Sequence, residues 1–448
     1  MKFHKETIII YSSVPRLFRT TYIGYLYEIS QVFPVILLSE KLDSETEEAL
    51  KDHVLFPNLK KIIHINQYTE KKRNLRETSL YFSKLAKKII SDYKPDVVIT
   101  DSCINPFEMY LLRYGKQSGA ITVSFQAGFQ IFLQKEEEER QYLQWRDGVN
   151  NLKYNSSHNK IKLIFAKFVN HLKDLYKYWV IPMFLGTCPY FQKSILKYGI
   201  YSYVRDFDYT VFFSEKECQL EKKLGRQSDK IMIYPHPLQT KARIIFEKIY
   251  HLSPLTSLTS RKFNSITIMI NVNTYGHRRK DLSLIHEKDY LESRLLVINS
   301  ILKILPNWIL YIKPHPEVES VYVNSLREMF NLNTNIFVVS PSEPADKFIE
   351  KSDIIIGFPP PSTTLYTTTI QCPQKIILYI DFHHELLGES FSSYPAITYI
   401  DTPKKFTDII NDIKNNKFNR QRSNIKIYKK TASDILSKII DIRKTKNN

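Results

Sequence analysis

The chain has 448 residues, 43% of them apolar and 25% charged, the balance of a folded soluble protein and more chain than one hydrophobic core organises, so two domains are expected. Its formal charge of +18 asks for an anionic partner, whether lipid headgroup, nucleic acid or polyanionic substrate, or else marks a solvated basic surface. Only 11 glycines, and neither G-x-G-x-x-G nor G-x-x-x-x-G-K-[ST], argue against a dinucleotide or P-loop domain, and four distant cysteines without a C-x-x-C pair argue against a zinc cluster or disulfide framework.

The apolar run near the N-terminus, Ile8-Ile9-Ile10, is too short and too soon broken for a signal peptide, and no run of about 18 apolar residues follows. The expectation is a cytoplasmic protein without a membrane span. In chain order, strand-like runs fall at Thr7 to Tyr11, Val35 to Leu38, Lys61 to Ile65, Asp96 to Thr100, Ile121 to Phe125 and Tyr209 to Phe213. Helix-like stretches separate them at Thr21 to Gln31, Ser44 to Asp52, Ser79 to Tyr93 and Pro106 to Ser118. Ser214 with Glu217 reads as a capping box opening another helix.

A Ser/Thr/Leu/Pro segment from Leu252 to Ser260 marks a change of composition at the domain boundary. The alternation then resumes with strands at Ile266 to Ile270, Trp308 to Ile312, Ile336 to Val339, Asp353 to Ile356, Ile376 to Ile380 and Ala396 to Ile400. Helices are expected at Asp289 to Leu305 and Val321 to Phe330, and a last amphipathic helix around Ser433 to Ile442. This is an α/β pattern of two doubly wound parallel sheets. The expected division is 1–235 with an amphipathic helical insert at about 134–200, then 236–425, then a terminal helix and basic tail at 426–448.

Two strand ends in the second half stand out. Trp308 to Ile312 stops at Lys313-Pro314-His315-Pro316, and Ile354 to Ile356 stops at Gly357 and a Pro-rich loop leading to Ser362-Thr363-Thr364. Ligands of open α/β sheets bind outside the carboxyl ends of the strands, so both runs deliver anion-binding groups to one crevice. Asp206-Phe207-Asp208 matches a D-x-D metal pattern but precedes a strand and has no second ligand set, so no metal is expected.

At Lys313-Pro314-His315-Pro316 and at Ser352-Asp353-Ile354-Ile355-Ile356-Gly357 followed by Ser362-Thr363, the sequence resembles the GT-B glycosyltransferases. More narrowly it is similar to the bacterial surface-polysaccharide group of sialyl-, polysialyl- and Kdo-transferases and CDP-glycerol glycerophosphotransferases. Lys94-Pro95-Asp96-Val97-Val98-Ile99 and Ser124-Phe125-Gln126-Ala127-Gly128 support the same resemblance. It implies two Rossmann-like domains facing a cleft (GT-B), the C-terminal one holding a nucleotide-sugar donor and the N-terminal one the acceptor, with no cofactor. Two departures stand beside it: Ala127-Gly128 replaces the frequent His-Gly pair, and no acidic pair followed by glycine supplies a base.

Loss of a nucleotide leaving group builds negative charge on its phosphate, which fixed donors must meet. His315 and Lys313 suit that role, as do Ser362, Thr363 and Thr364 ahead of a helix, although Ser and Thr also serve as ordinary helix caps. Asn271, Asn273 and the basic run His277 to Lys280, after the first strand of the second half, are further donor-side candidates, as is His236 between two prolines. On the acceptor side stand Asp101, a candidate base ending a strand, together with Gln126, Gly128, Arg16 and Arg19. The bland alternatives are a cap for Asp101, a tight turn for Gln126 and Gly128, solvation for the arginines and a rigid linker for His236.

Lys160 to Trp179 places Ile161, Ile164, Phe165, Phe168, Leu172, Leu175 and Trp179 on one helical face and lysines on the other. Such a helix either docks on an anionic membrane surface or covers the core. The sequence therefore points to a glycosyltransferase moving a sugar to a bacterial surface glycan or its lipid-linked precursor, inverting and metal-independent, and peripheral on the inner membrane face if the Lys160 to Trp179 helix docks there. A glycerophosphotransferase or nucleotide-sugar epimerase of the same fold is the near alternative, and a basic nucleic-acid-binding protein the distant one.

Overall fold

The structure, a computed structural model, describes residues 5–12, 18–65, 75–100, 106–126, 207–213, 218, 222, 227–249, 264–270, 287–315, 320–343, 345–359, 363–372, 374–382, 396–418 and 429–447. Two compact units result. The first falls within Met1–Gly128, Val169–Leu252 and Lys426–Asn448, the second, among the described residues, within Ser253–Ile425.

In the first unit β1 (Ile8–Ser12) leads through a π-helical turn at Phe18–Tyr22 into α1 (Ile23–Ser30). There follow β2 (Val35–Ser39), α2 (Ser44–Leu50), β3 (Leu59–His64), α3 (Leu75–Tyr93), β4 (Val97–Thr100), α4 (Pro106–Gln117), β5 (Ile121–Phe125), β6 (Tyr209–Phe212), β7 (Ile231–Ile233) and α5 (Arg243–Ile249). All seven strands are parallel in the order β3-β2-β1-β4-β5-β6-β7, with Ile8 paired to Val35 on one side and Val97 on the other. Strands β1, β2, β4 and β5 are buried along their whole length, which is why they read as unbroken apolar runs rather than alternating ones.

The second unit repeats the plan. It holds β8 (Ser265–Ile270), α6 (Glu287–Ile304), β9 (Ile309–Pro314), α7 (Ser320–Phe330), β10 (Ile336–Val338), α8 (Asp346–Glu350), β11 (Ile354–Gly357), α9 (Thr363–Gln371), β12 (Ile376–Ile380), β13 (Thr398–Ile400) and α10 (Pro403–Lys414). The six strands are parallel in the order β10-β9-β8-β11-β12-β13. Alternate residues serve two cores: Ile266, Ile268, Leu310, Ile354 and Ile356 face Val297, Ile301, Phe406 and Ile410, while Met269, Ile355, Ile377 and Tyr379 face Ile349 and Leu365.

The two doubly wound sheets anticipated from the sequence are thus present, and the two compact units divide after Leu252. Two differences concern ownership of segments. The stretch after residue 235 stays with the first unit as far as α5, where Gly24 of α1 lies so close that an added Cβ would come within 2.5 Å of Pro237. The last helix, α11 (Ala432–Asn447), also belongs to the first unit, because the buried Glu28 of α1 accepts the amide of Ala432 at 2.7 Å.

Candidate functional site

In each unit the strand order reverses at one point, between β1 and β4 and between β8 and β11, and ligands of open parallel sheets gather at the carboxyl ends beside such a reversal. In the second unit β9 delivers His315 to that place. Its backbone amide donates to the carbonyl of Ile270, the last residue of β8, at 2.8 Å, and the residue is half-buried. The imidazole is therefore carried on backbone fixed to the central strand.

Lys313, expected as a point charge for the phosphate, sits below the surface. It is 4% exposed, and its ammonium donates to the carbonyls of Pro314 at 2.5 Å and Pro341 at 3.0 Å. There it adds positive potential from beneath the strand end and ties β9 to the segment after β10.

β11 ends at Gly357 for a steric reason. A Cβ on this residue would come within 2.1 Å of Leu365 Cδ1, so only glycine lets the first turns of α9 close onto the strand. The N-terminus of α9, the positive end of its dipole, is thereby held beside the end of β11. Thr363 opens that helix, and the half-buried Thr364 accepts the hydroxyls of Thr367 at 3.0 Å and Thr368 at 2.7 Å through its carbonyl. Arg294 of α6, buried, places its guanidinium 5.0 Å from the ring centre of Phe358, the residue after Gly357. Sequence reasoning missed this cation, since nothing in helix periodicity marks a buried arginine.

In the first unit Gln126 is buried and its Oε1 accepts the amide of Phe213 at 2.8 Å, so it joins the ends of β5 and β6. Arg19 sits half-buried on the π-helical turn. His236 is fully buried rather than presented on a linker: Nδ1 accepts the amide of Leu238 at 3.2 Å, Nε2 lies 3.4 Å from Thr21 Oγ1, and burial depresses its pKa to about 3. In that place the neutral imidazole caps the turn at Pro237–Gln239. Asp208 accepts both the amide and hydroxyl of Thr122, at 2.8 and 2.9 Å, which gives the D-x-D pattern a structural use.

One group escaped the sequence reading. Glu40 follows the last residue of β2, is 6% exposed, and no described group hydrogen-bonds to it; burial raises its pKa to about 7. A carboxyl directly after an apolar run was the available signal. Asp101, Arg16, Gly128, Asn271, Asn273, Ser362, the side chain of Thr363, the run His277 to Lys280, the capping pair Ser214 and Glu217, and the segment Lys160 to Trp179 lie outside the described residues. Among the described residues no helix is long and apolar enough to cross a membrane.

No protein-family model and no curated protein matches this sequence. Solved structures do match its fold. The UDP-GlcNAc 2-epimerase of Methanocaldococcus jannaschii aligns with a TM-score of 0.58 at 11% identity over 97% of this chain and 99% of that one. An enzyme described as a putative UDP-N-acetylglucosamine 2-epimerase from Listeria monocytogenes gives 0.56 at 11% identity over 99% and 98%. The UDP-GlcNAc 2-epimerase of Neisseria meningitidis, bound to UDP-GlcNAc, gives 0.54 at 11% identity over 99% and 100%. The chain therefore has the GT-B-like fold of two parallel-sheet α/β units that the resemblance implied.

Proposed function

We propose that this protein acts on a nucleotide-linked sugar, with the leaving phosphate held in the second unit at the carboxyl ends of β8, β9 and β11. One observation carries the reading: His315 is fixed against the end of β8 while Gly357 lets α9 bring its N-terminus to the end of β11. An imidazole donor and a helix N-terminus at adjacent strand ends suit charge that grows on a phosphate as the glycosidic bond breaks. Asn271, Asn273, Ser362 and Thr363 complete the donor site in this proposal, and Lys313 and Arg294 supply buried positive charge. The first unit takes the acceptor, with Arg16, Arg19, Gln126 and Gly128 near it and Asp101 or Glu40 as the proton-transfer group.

Two reactions suit such a site. The strand-end motifs support transfer to a bacterial surface glycan or its lipid-linked precursor, inverting and without a metal, with the Lys160 to Trp179 segment docking on an anionic membrane. The fold neighbours support epimerisation, since all three carry that name and one is bound to UDP-GlcNAc. Inverting a ring carbon needs a base at that carbon, and Glu40, with a pKa raised to about 7, is a described carboxyl able to serve. The same fold also accommodates a glycerophosphotransferase, which selectivity for CDP would mark.

Thermal-shift titration with CMP, CDP, UDP and GDP identifies the nucleotide, because a bound product raises the melting temperature by mass action. NMR of the matching nucleotide-sugar then separates the reactions: change of the sugar without acceptor is epimerisation, and consumption only with acceptor is transfer. His315→Ala should lower turnover by about 10²- to 10³-fold while leaving the melting curve nearly unchanged. Full activity in that variant, or no shift with any nucleotide, removes the proposal.

A further inference from the structure

Away from these strand ends the first unit contains a cavity of about 720 Å³ at the opposite, amino-terminal edge of its sheet. It opens between the C-terminal turns of α3, α4 and α11 and the residues leading into β1, β4 and β5. Its floor is apolar, formed by Ile90, Ile121 and Ile440. Its wall is charged, and the charges do not cancel. The Glu6 carboxylate is engaged by Lys444 Nζ at 2.6 Å, and Asp96 Oδ2 accepts the amide of Thr7 at 2.7 Å. Lys87, Lys94 and Arg443 line the same cavity, and none of their side chains makes a hydrogen bond or ion pair with a described residue.

Lys94 adds a backbone argument. It ends α3 with φ of 41°, donating its amide to the carbonyl of Ile90 at 2.9 Å in an αL cap, with Pro95 next. Glycine takes that position at lower cost, because an L side chain crowds the backbone there. A lysine at such a point strains the chain locally and adds a cation to the cavity lining. An excess of two positive charges, four cations against the carboxylates of Glu6 and Asp96, around an apolar floor suits a phosphate carried on a polyol or sugar body, the phosphate meeting the cations and the carbon face of the polyol meeting the isoleucines.

We propose that this cavity is a second anion site, distinct from the strand-end site, and that it binds a polyol phosphate, free or displayed as a lipid headgroup. The proposal does not depend on the nucleotide-sugar reading, and its test is arranged to keep the two apart. The full chain would be titrated calorimetrically at low salt with glucose 1-phosphate, with glucose as the neutral control. Co-sedimentation with phosphatidylglycerol vesicles, against phosphatidylcholine vesicles, forms the second arm.

The expected result is saturable binding of the phosphate form in at least one arm, weakened at least tenfold by Lys94→Gly and by Arg443→Gln. Lys94→Gly should melt at or above the parent temperature, so loss of binding there cannot be loss of fold. The same weakening should appear in a His315→Ala background, which separates this site from the strand ends of the second unit. Binding confined to vesicles assigns the headgroup as ligand, and binding of glucose 1-phosphate assigns the free compound. Binding in neither arm, or affinity unchanged in both cavity variants, overturns the proposal.

Discussion

Asp353 Oδ2 accepts the backbone amide of Asn264 at 2.7 Å, one residue before β8 begins, and so locks the entry of β11 to that of the central strand. Asp96 does the same to Thr7 in the first unit, at the same 2.7 Å, just before β4 and β1. In both places the clasping residue also hands its carbonyl to the next strand, Asp353 to Ile376 and Asp96 to Ile121. The repetition marks the two units as the same construction despite sequences without a visible repeat. Because the bond is charge-assisted, Asp353→Ala should cost about 1 to 2 kcal/mol in urea denaturation, and Asp353→Asn rather less. An unchanged midpoint would show that the clasp holds nothing.

Gly357→Ala tests how the second unit builds its strand-end site. The added methyl would collide with Leu365, a fully buried residue, so α9 must move outward or the variant must lose stability by about 1 to 3 kcal/mol. Nucleotide-induced stabilisation should fall more than overall stability does. Pairing the change with Leu365→Ala should recover part of the stability, as measured by the melting temperature, because the truncated side chain makes room.

Much of this fold was legible because the central strands, β1, β2, β4, β5, β8 and β11, are buried parallel ones, written as largely apolar runs that stop at a polar or small residue. Such runs place Lys313, His315 and Gly357 at one edge without any knowledge of packing. The helix Pro403–Lys414 was also readable, from Thr402 and Pro403 at its start and Phe406, Ile410 and Ile413 on one face, yet it escaped the reading. What local pattern cannot give is the partner of a polar group. Lys313, a phosphate candidate by sequence, is tied down by the carbonyl of Pro341, 28 residues on, and His236, a donor-side candidate by sequence, is fully buried and neutral. The placement of α11 likewise rests on a contact between residues 404 apart.

That contact centres on Glu28, whose carboxylate accepts the hydroxyl of Thr240 at 2.6 Å, the hydroxyl of Tyr234 and the amide of Ala432. Burial raises its pKa, while the same hydrogen bonds oppose the rise. Glu28→Ala would leave several buried donors unmet at once, at a cost of about 2 to 4 kcal/mol. Glu28→Gln keeps one acceptor oxygen and should cost about half as much. The telling readout is limited proteolysis: cleavage near residues 426–432 should precede cleavage elsewhere in the variant, and simultaneous loss of the whole chain would argue against a local clasp.

Glu40 allows a prediction about pH whose sign can be worked out. Its carboxyl moves from 4.5 to about 7 on folding because burial at the end of β2 disfavours the charged form. Between those values the folded protein keeps a proton that the unfolded chain has lost, so stability falls as pH rises through the window and the penalty is complete above about pH 7. Replacing the residue by glutamine removes the penalty. Glu40→Gln should therefore be more stable than the parent at pH 8 by about 1 to 2 kcal/mol, allowing for solvent screening at a strand end, and equal to it near pH 4. If Glu40 transfers the proton, the same variant should lose turnover by at least about 10²-fold while gaining stability. A more stable and fully active variant would return Glu40 to the status of a merely buried carboxyl and shift the proton-transfer role to Asp101.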